Sequence, residues 1–208
     1  MARILDISQP VGTRTAVWPG DQPPALSWTM SRASGDSVNV AALTLSAHTG
    51  THVDGPFHVD DDGARAADLD LARYVGPADV IDARGRAVLD VGALEGRTHV
   101  AERVLFRTRD DVDPTVFPDR VVPVTPALAR ALGEAGVHLI GTDAPSVDPI
   151  DSKTLDAHHA LIDSGIAILE NLVLTDVSPG RYTLVALPLR LTEADSSPVR
   201  AILIEAEP

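Results

Sequence analysis

The chain has no cysteine, which excludes disulfides, thiolate metal sites and a cysteine nucleophile and leaves the redox compartment unspecified. Aromatic residues make up only 3% of it, so each tryptophan needs a reason. Positive charge is scarce: 17 Lys and Arg stand against 30 Asp and Glu, a formal net charge of −13. Such a chain repels phosphate backbones and anionic headgroups, so neither nucleic acid nor a membrane surface is an expected partner. No apolar stretch approaches the roughly 18 residues of a membrane span, and the opening MARILDISQPVG lacks a basic segment followed by an apolar run. A soluble, cytoplasmic protein is expected. Internal repeats, low-complexity tracts and a GxSxG elbow are also missing; the last speaks against a serine hydrolase of the α/β type.

With 208 residues, 44% of them hydrophobic, residues 1–208 are expected to form a single domain that buries more than about two-thirds of its unfolded surface. Short apolar runs bounded by turn residues predict strands at Val38–Ser46, Ala78–Ala83, Arg103–Thr108, Val137–Gly141, Ile166–Glu170, Tyr182–Pro188 and Val199–Ile204. A helix is predicted in TPALARALGEAG, with Thr125 as N-cap, Pro126 in the first turn and Gly136 in the left-handed position after the end. DAHHALIDSG predicts a second, with Asp156 as N-cap and Gly165 as stop. Each helix is followed at once by an apolar strand, which points to a mixed α/β architecture with an antiparallel portion.

The densest chemistry lies in SAHTGTHVDGPFHVD, residues 46–60, which holds His48, His52, Asp54 and His58, three of the seven histidines with a carboxylate among them. A helix would bring His48 and His52 together at i, i+4, but Gly50, Gly55, Pro56 and the β-branched Thr49, Thr51 and Val53 oppose it. A straight strand at about 3.3 Å per residue would hold His48 and Asp54 about 20 Å apart, too far to share an ion. A bent strand or tight loop satisfies both constraints, and the glycines and Pro56 permit one. Imidazole and carboxylate suit zinc or manganese. A lone histidine is more often packing or surface, and His99 and His138 are read that way. His158, His159 and Glu170 form a second group. In one continuous helix residues 158 and 170 would lie about 18 Å apart, but a break at Gly165 and a returning strand would bring the carboxylate back. Two histidine clusters, each with a carboxylate, suggest a two-metal site bridged by a shared carboxylate.

His48, Gly50, Thr51, His52, Asp54, Pro56 and His58 fit HxGTHxDxPxH, which resembles the signature of the metal-dependent cyclase-like hydrolases, and within them the bacterial kynurenine formamidase family. VWPGD at 17–21, GTDAPSVDP at 141–149, SKTLDAHH at 152–159, AILENLVL at 167–174 and ALPLRL at 186–191 extend the resemblance over nearly the whole chain. It implies a single domain of stacked mixed β-sheets with helices, of the swivelling β/β/α type, and a homodimer. It implies two divalent ions, zinc first, with manganese or cobalt possible at the same donors. His48, His52 and Asp54 would hold one ion, Asp54, His158 and Glu170 the other, with His159 the substitute for His158. His58 matches the catalytic acid/base and Trp18 a position touching a small-molecule substrate. The implied reaction is hydrolysis of N-formyl-L-kynurenine to L-kynurenine and formate in tryptophan breakdown; the competing readings are another amide or ring, such as isatin, and a non-catalytic metal binder. Gly55 departs from the family's expected Ala, a change expected to loosen the loop.

Overall fold

The apolar runs pair into one large mixed sheet. The computed structural model describes residues 2–97 and 99–205. Among these, the strands in chain order are β1 Ile4–Asp6, β2 Ala25–Met30, β3 Val40–Thr44, β4 His52–Asp54, β5 Val75–Asp82, β6 Arg103–Arg107, β7 Leu139–Thr142, β8 Ala167–Glu170, β9 Gly180–Val185, β10 Ser196–Pro198 and β11 Ile202–Glu205. The helices are α1 Pro126–Glu134 and α2 Asp156–Asp163. Nine strands form a sheet in the order β1-β11-β9-β5-β6-β7-β8-β4-β10. The run β5-β6-β7-β8 is parallel and the flanking pairs are antiparallel. The class is therefore mixed α/β, as the helix-then-strand pattern predicts.

Parallel strands need cover on both faces, and the central residues alternate between two cores. Val104, Phe106, Ile140 and Ile168 pack against Leu128 and Leu132 of α1 and Leu161 of α2. Leu105, Leu139 and Leu169 face the other way, into a cluster with Val53, Leu184 and Leu203. Those last three come from β4, β9 and β11, near opposite ends of the sheet, so the sheet wraps round this face. The seam is visible in the backbone: Ser8 bridges to Leu172, and the Val199 N–H donates to the Thr51 carbonyl at 3.0 Å. That seam lies against β4, which carries the histidine motif.

The Thr125 hydroxyl accepts from the Leu128 N–H at 3.2 Å, Pro126 opens α1, and Gly136 takes φ 79° beyond its end. The capping of α2 differs from expectation. Asp156 is its first helical residue, and the N-cap is Leu155, left-handed at φ 48°. The orphan N–H groups of Ala157 and His158 are instead satisfied by the Asp148 carboxylate, both at 3.0 Å. A side chain from the preceding loop thus does what a local cap usually does. The β2–β3 hairpin stands apart from the main sheet, with every strand residue exposed. No helix among the described residues is long and apolar enough to cross a membrane.

Candidate metal centre

The motif reaches its geometry through a short strand between two bends. Gly50 turns the chain at φ 66°, and β4 then places His52 and Asp54, two apart, on one face. Pro56–His58 form a single 3-10 turn that swings His58 back over the strand. Across the sheet, β8 is antiparallel to β4 with His52 opposite Glu170. Gly165, at φ 72°, ends the α2 segment and lets β8 return under it. The bent arrangement brings five side chains together. His48 Nδ1 lies 3.2 Å from Asp54 Oδ1, His52 Nε2 lies 3.5 Å from both Asp54 Oδ1 and Glu170 Oε2, and His158 Nε2 lies 3.7 Å from Asp54 Oδ2 and 3.8 Å from Glu170 Oε1. Donor atoms of His48, His52 and Asp54, and separately of Asp54, His158 and Glu170, lie within 4.8 Å of one another, with Asp54 common to both groups. His159, one residue on, is exposed and outside the cluster.

The surrounding hydrogen bonds decide which atoms point inward. A carbonyl only accepts, so His52 Nδ1 donates to Gly50 O at 2.9 Å and its Nε2 lone pair faces the carboxylates. His158 Nδ1 is held by Asp148 Oδ2 at 2.7 Å, aiming Nε2 at Asp54 and Glu170. Ser196 Oγ donates to Asp54 Oδ1 at 3.0 Å, and the Val147 N–H donates to Glu170 Oε1 at 2.8 Å. Carboxylate and carbonyl partners behind the rings are the usual outer support of metal-ligating imidazoles. Two buried atoms in the middle, His52 Nε2 and Asp54 Oδ2, have no hydrogen-bond partner. A lone pair facing carboxylates at 3.5 Å, with an orphaned carboxylate oxygen nearby, is costly burial unless a cation lies between them. The donor set fits a divalent ion.

The titration of the cluster tells the same story. Burial lowers the His52 pKa to about 4, so it is neutral. Burial also opposes charge on His48 and His158, but Asp195 and Asp54 beside the first, and Asp148, Asp54 and Glu170 beside the second, raise each to about 10. Burial, followed by the charge of Asp54, pushes Glu170 up to about 8. Protons held on His48, His158 and Glu170 offset the charge of the neighbouring carboxylates.

Above the cluster opens a cavity of about 450 Å³, lined by His48, His52, His58, His158 and Glu170 at one end and by Trp18, Phe117, Arg109 and Lys153 elsewhere. Trp18 is 37% exposed and meets Phe117 edge to face, with centroids 5.3 Å apart. His58 is exposed and lies 4.3 Å, centroid to centroid, from His48. Gly55 is not loose: its N–H donates to Asp195 O at 2.9 Å, and a Cβ there would overlap the Ala66 backbone and fall 2.6 Å from that same oxygen. Sequence reasoning passed over Asp148, Ser196 and Asp195, although Asp148 lies in the quoted GTDAPSVDP. Asp148 and Asp195 lie in loops and Ser196 opens the three-residue strand β10, so none of them carries a local signature.

Residues 5–149 match the putative cyclase family. The kynurenine formamidase of Salinibacter ruber is 52% identical over 98% of each chain. Among solved structures, a potential metal-dependent hydrolase with cyclase activity superposes over all of both chains with a TM-score of 0.84 at 25% identity. Isatin hydrolase A from Ralstonia solanacearum superposes with a TM-score of 0.81 at 25% identity, over 99% of this chain and 92% of that one. The full-length identity, the cyclase-type fold and the inward-facing histidine–carboxylate cluster converge: the chain belongs to the kynurenine formamidases of the putative cyclase family, a family of hydrolases.

Proposed function

We propose that this enzyme, as one hydrolase domain spanning residues 1–208, hydrolyses N-formyl-L-kynurenine to L-kynurenine and formate. The observation that carries the reading is the pair of orphaned inward atoms, His52 Nε2 and Asp54 Oδ2, at the end of a cavity with an aromatic pair in its wall. In this reading His48, His52 and Asp54 hold one ion and Asp54, His158 and Glu170 a second, zinc first, with manganese or cobalt accepted by the same donors. Bound there, a divalent ion supplies Lewis acidity, making water a stronger acid and drawing charge from a carbonyl oxygen. The chain supplies the rest. Trp18 and Phe117 offer ring faces and edges to the substrate's aryl group. As water adds to the formyl carbon and the C–N bond breaks, the amine nitrogen must gain a proton. His58 Nε2, free because Nδ1 is engaged by Asp195 at 2.9 Å, takes a proton from water and delivers it there.

Purified, metal-loaded protein should produce kynurenine, followed by its absorbance, and should turn over isatin poorly or not at all. The reverse preference would sink the substrate assignment and leave the hydrolase standing.

A second copy of the chain is the natural cover for the β2–β3 hairpin. Leu26, Trp28 and Leu43 are 47%, 61% and 56% exposed there, and an isolated two-stranded hairpin is marginal in water. A homodimer built on this arm should dissociate on Trp28→Asp or Leu43→Asp in sedimentation velocity; a variant of unchanged mass would place the interface elsewhere.

A further inference from the structure

One acidic side chain ties the metal cluster to the acid/base histidine. Asp195 precedes β10, and its Oδ2 lies 2.7 Å from His48 Nε2 and 2.9 Å from His58 Nδ1. Its position is fixed from several directions. The Asp195 carbonyl accepts from Gly55 N–H, the glycine between Asp54 and the Pro56–His58 turn. Two residues earlier, the Glu193 carbonyl accepts from Arg65 at 2.8 Å. One residue later, Ser196 pairs with Asp54 in the β10–β4 register, and its hydroxyl donates to the Asp54 carboxylate. The 195–196 step therefore touches His48, Asp54, Gly55 and His58 at once, and Gly55 is what permits its close approach.

We propose that Asp195 is a positioning residue for the hydrolytic reaction: by accepting from His58 Nδ1 and His48 Nε2 on one oxygen, it sets which nitrogen of His58 faces the substrate and holds that ring against the cluster. The reason is the inventory of hydrogen-bonding groups. An ionised carboxylate only accepts, so a ring nitrogen bonded to it carries the proton. For His58 this leaves Nε2 as the nitrogen that can exchange a proton with water and the leaving amine. For His48 it leaves Nδ1 as the nitrogen turned toward Asp54. Support of this kind behind an imidazole is worth about 10- to 100-fold in activity or metal affinity where it has been removed. Asp195 itself touches no reacting atom, and its effect on kcat passes through the His58 ring.

The proposal rests on His58 as acid/base, so its test includes a reading that needs no substrate. Imidazole ¹⁵N spectra of the full chain, metal-loaded, should show His58 protonated at Nδ1 in the wild type and a mixed or reversed tautomer in Asp195→Asn, which keeps the shape but not the charge. In steady-state assays Asp195→Asn should lose about 10- to 100-fold in kcat with KM and metal content unchanged, and Asp195→Glu should recover part of it. On a His58→Ala background the same substitution should cost little more, since its route of action is already gone. Three results would overturn the proposal: an Asn variant with wild-type kcat and tautomer, a loss equally large on the His58→Ala background, or loss of one metal equivalent in both Asp195→Asn and His58→Ala. The last would make His48, His58 and Asp195, whose donor atoms also lie within 4.8 Å of one another, a metal site in their own right. Absence of N-formyl-L-kynurenine turnover in the wild type would strike the substrate reading alone, because the tautomer spectra still decide the role of Asp195.

Discussion

His58→Ala is expected to lower kcat for N-formyl-L-kynurenine by about 10²–10⁴-fold, the range for removal of a positioned acid/base, while the protein keeps its full metal content. The separation follows from geometry. His58 is exposed at the cavity wall and anchored by Asp195, whereas the atoms orphaned in the cluster belong to His52 and Asp54. Removing the ring therefore leaves the inward-facing donors of His48, His52, Asp54, His158 and Glu170 where they are. A proton moved only as the C–N bond breaks contributes to the transition state and not to ground-state binding, so kcat and kcat/KM should fall together with KM little changed. Steady-state kinetics beside elemental metal analysis reads both quantities. If metal leaves with the side chain and excess metal restores activity, His58 is a ligand and not the acid/base.

How far this arrangement could be read in advance depended on where in the chain each residue sits. His48, His52, Asp54 and His58 fall within eleven positions, and the glycines and proline among them rule out both regular structures, so a bent segment was the only form left that could share an ion. Glu170 could be linked to His158 because Gly165 interrupts the helix between them. Asp195 and Asp148 could not be found this way. A carboxylate in a loop looks like any other of the 30 acidic residues, and what distinguishes these two is contact with rings 147 and 10 positions away. The same limit explains the mistaken cap of α2. Asp156 satisfies the local rule for an N-cap, but it is the first helical residue, and the helix N–H groups are taken by a tertiary partner, Asp148. Strands β1, β4 and β10 have three residues each, too short for alternation to register, yet β4 and β10 frame the site. The seam that wraps the sheet beside β4 rests on pairings such as Ser8 with Leu172, which no local pattern encodes.

Metal removal should abolish turnover, and the stability of the stripped protein should fall as pH rises from about 6.5 to 9, a direction opposite to ordinary acid denaturation. In the metal-free cluster His48 and His158 are raised to about 10 from 6.5, and Glu170 to about 8 from 4.5. A group whose folded pKa is raised binds its proton more tightly in the native state. Its contribution is complete below the unfolded value and disappears as pH climbs through the folded one. For Glu170 the window is about 4.5 to 8, and for the two histidines about 6.5 to 10. His52 has the opposite sign: lowered to about 4 from 6.5, its window lies below 6.5, and it adds no slope above that pH. Between pH 6.5 and 9 the three raised groups therefore act in one direction. Bound cations replace those protons among the carboxylates, so the loaded protein should lose less stability over the same range. At a hundredfold excess of metal over its Kd, linkage contributes about 2.7 kcal/mol. At about 2–4 °C per kcal/mol for a chain of this length, that moves Tm by about 5–10 °C. Thermal unfolding of chelated and reloaded protein at pH 6.5 and pH 9 measures the gap directly. A gap that widens with pH, together with activity that returns on reloading, is the expected result. A gap that is constant or narrows would mean that the protons on His48, His158 and Glu170 and the metal do not occupy the same place in the cluster.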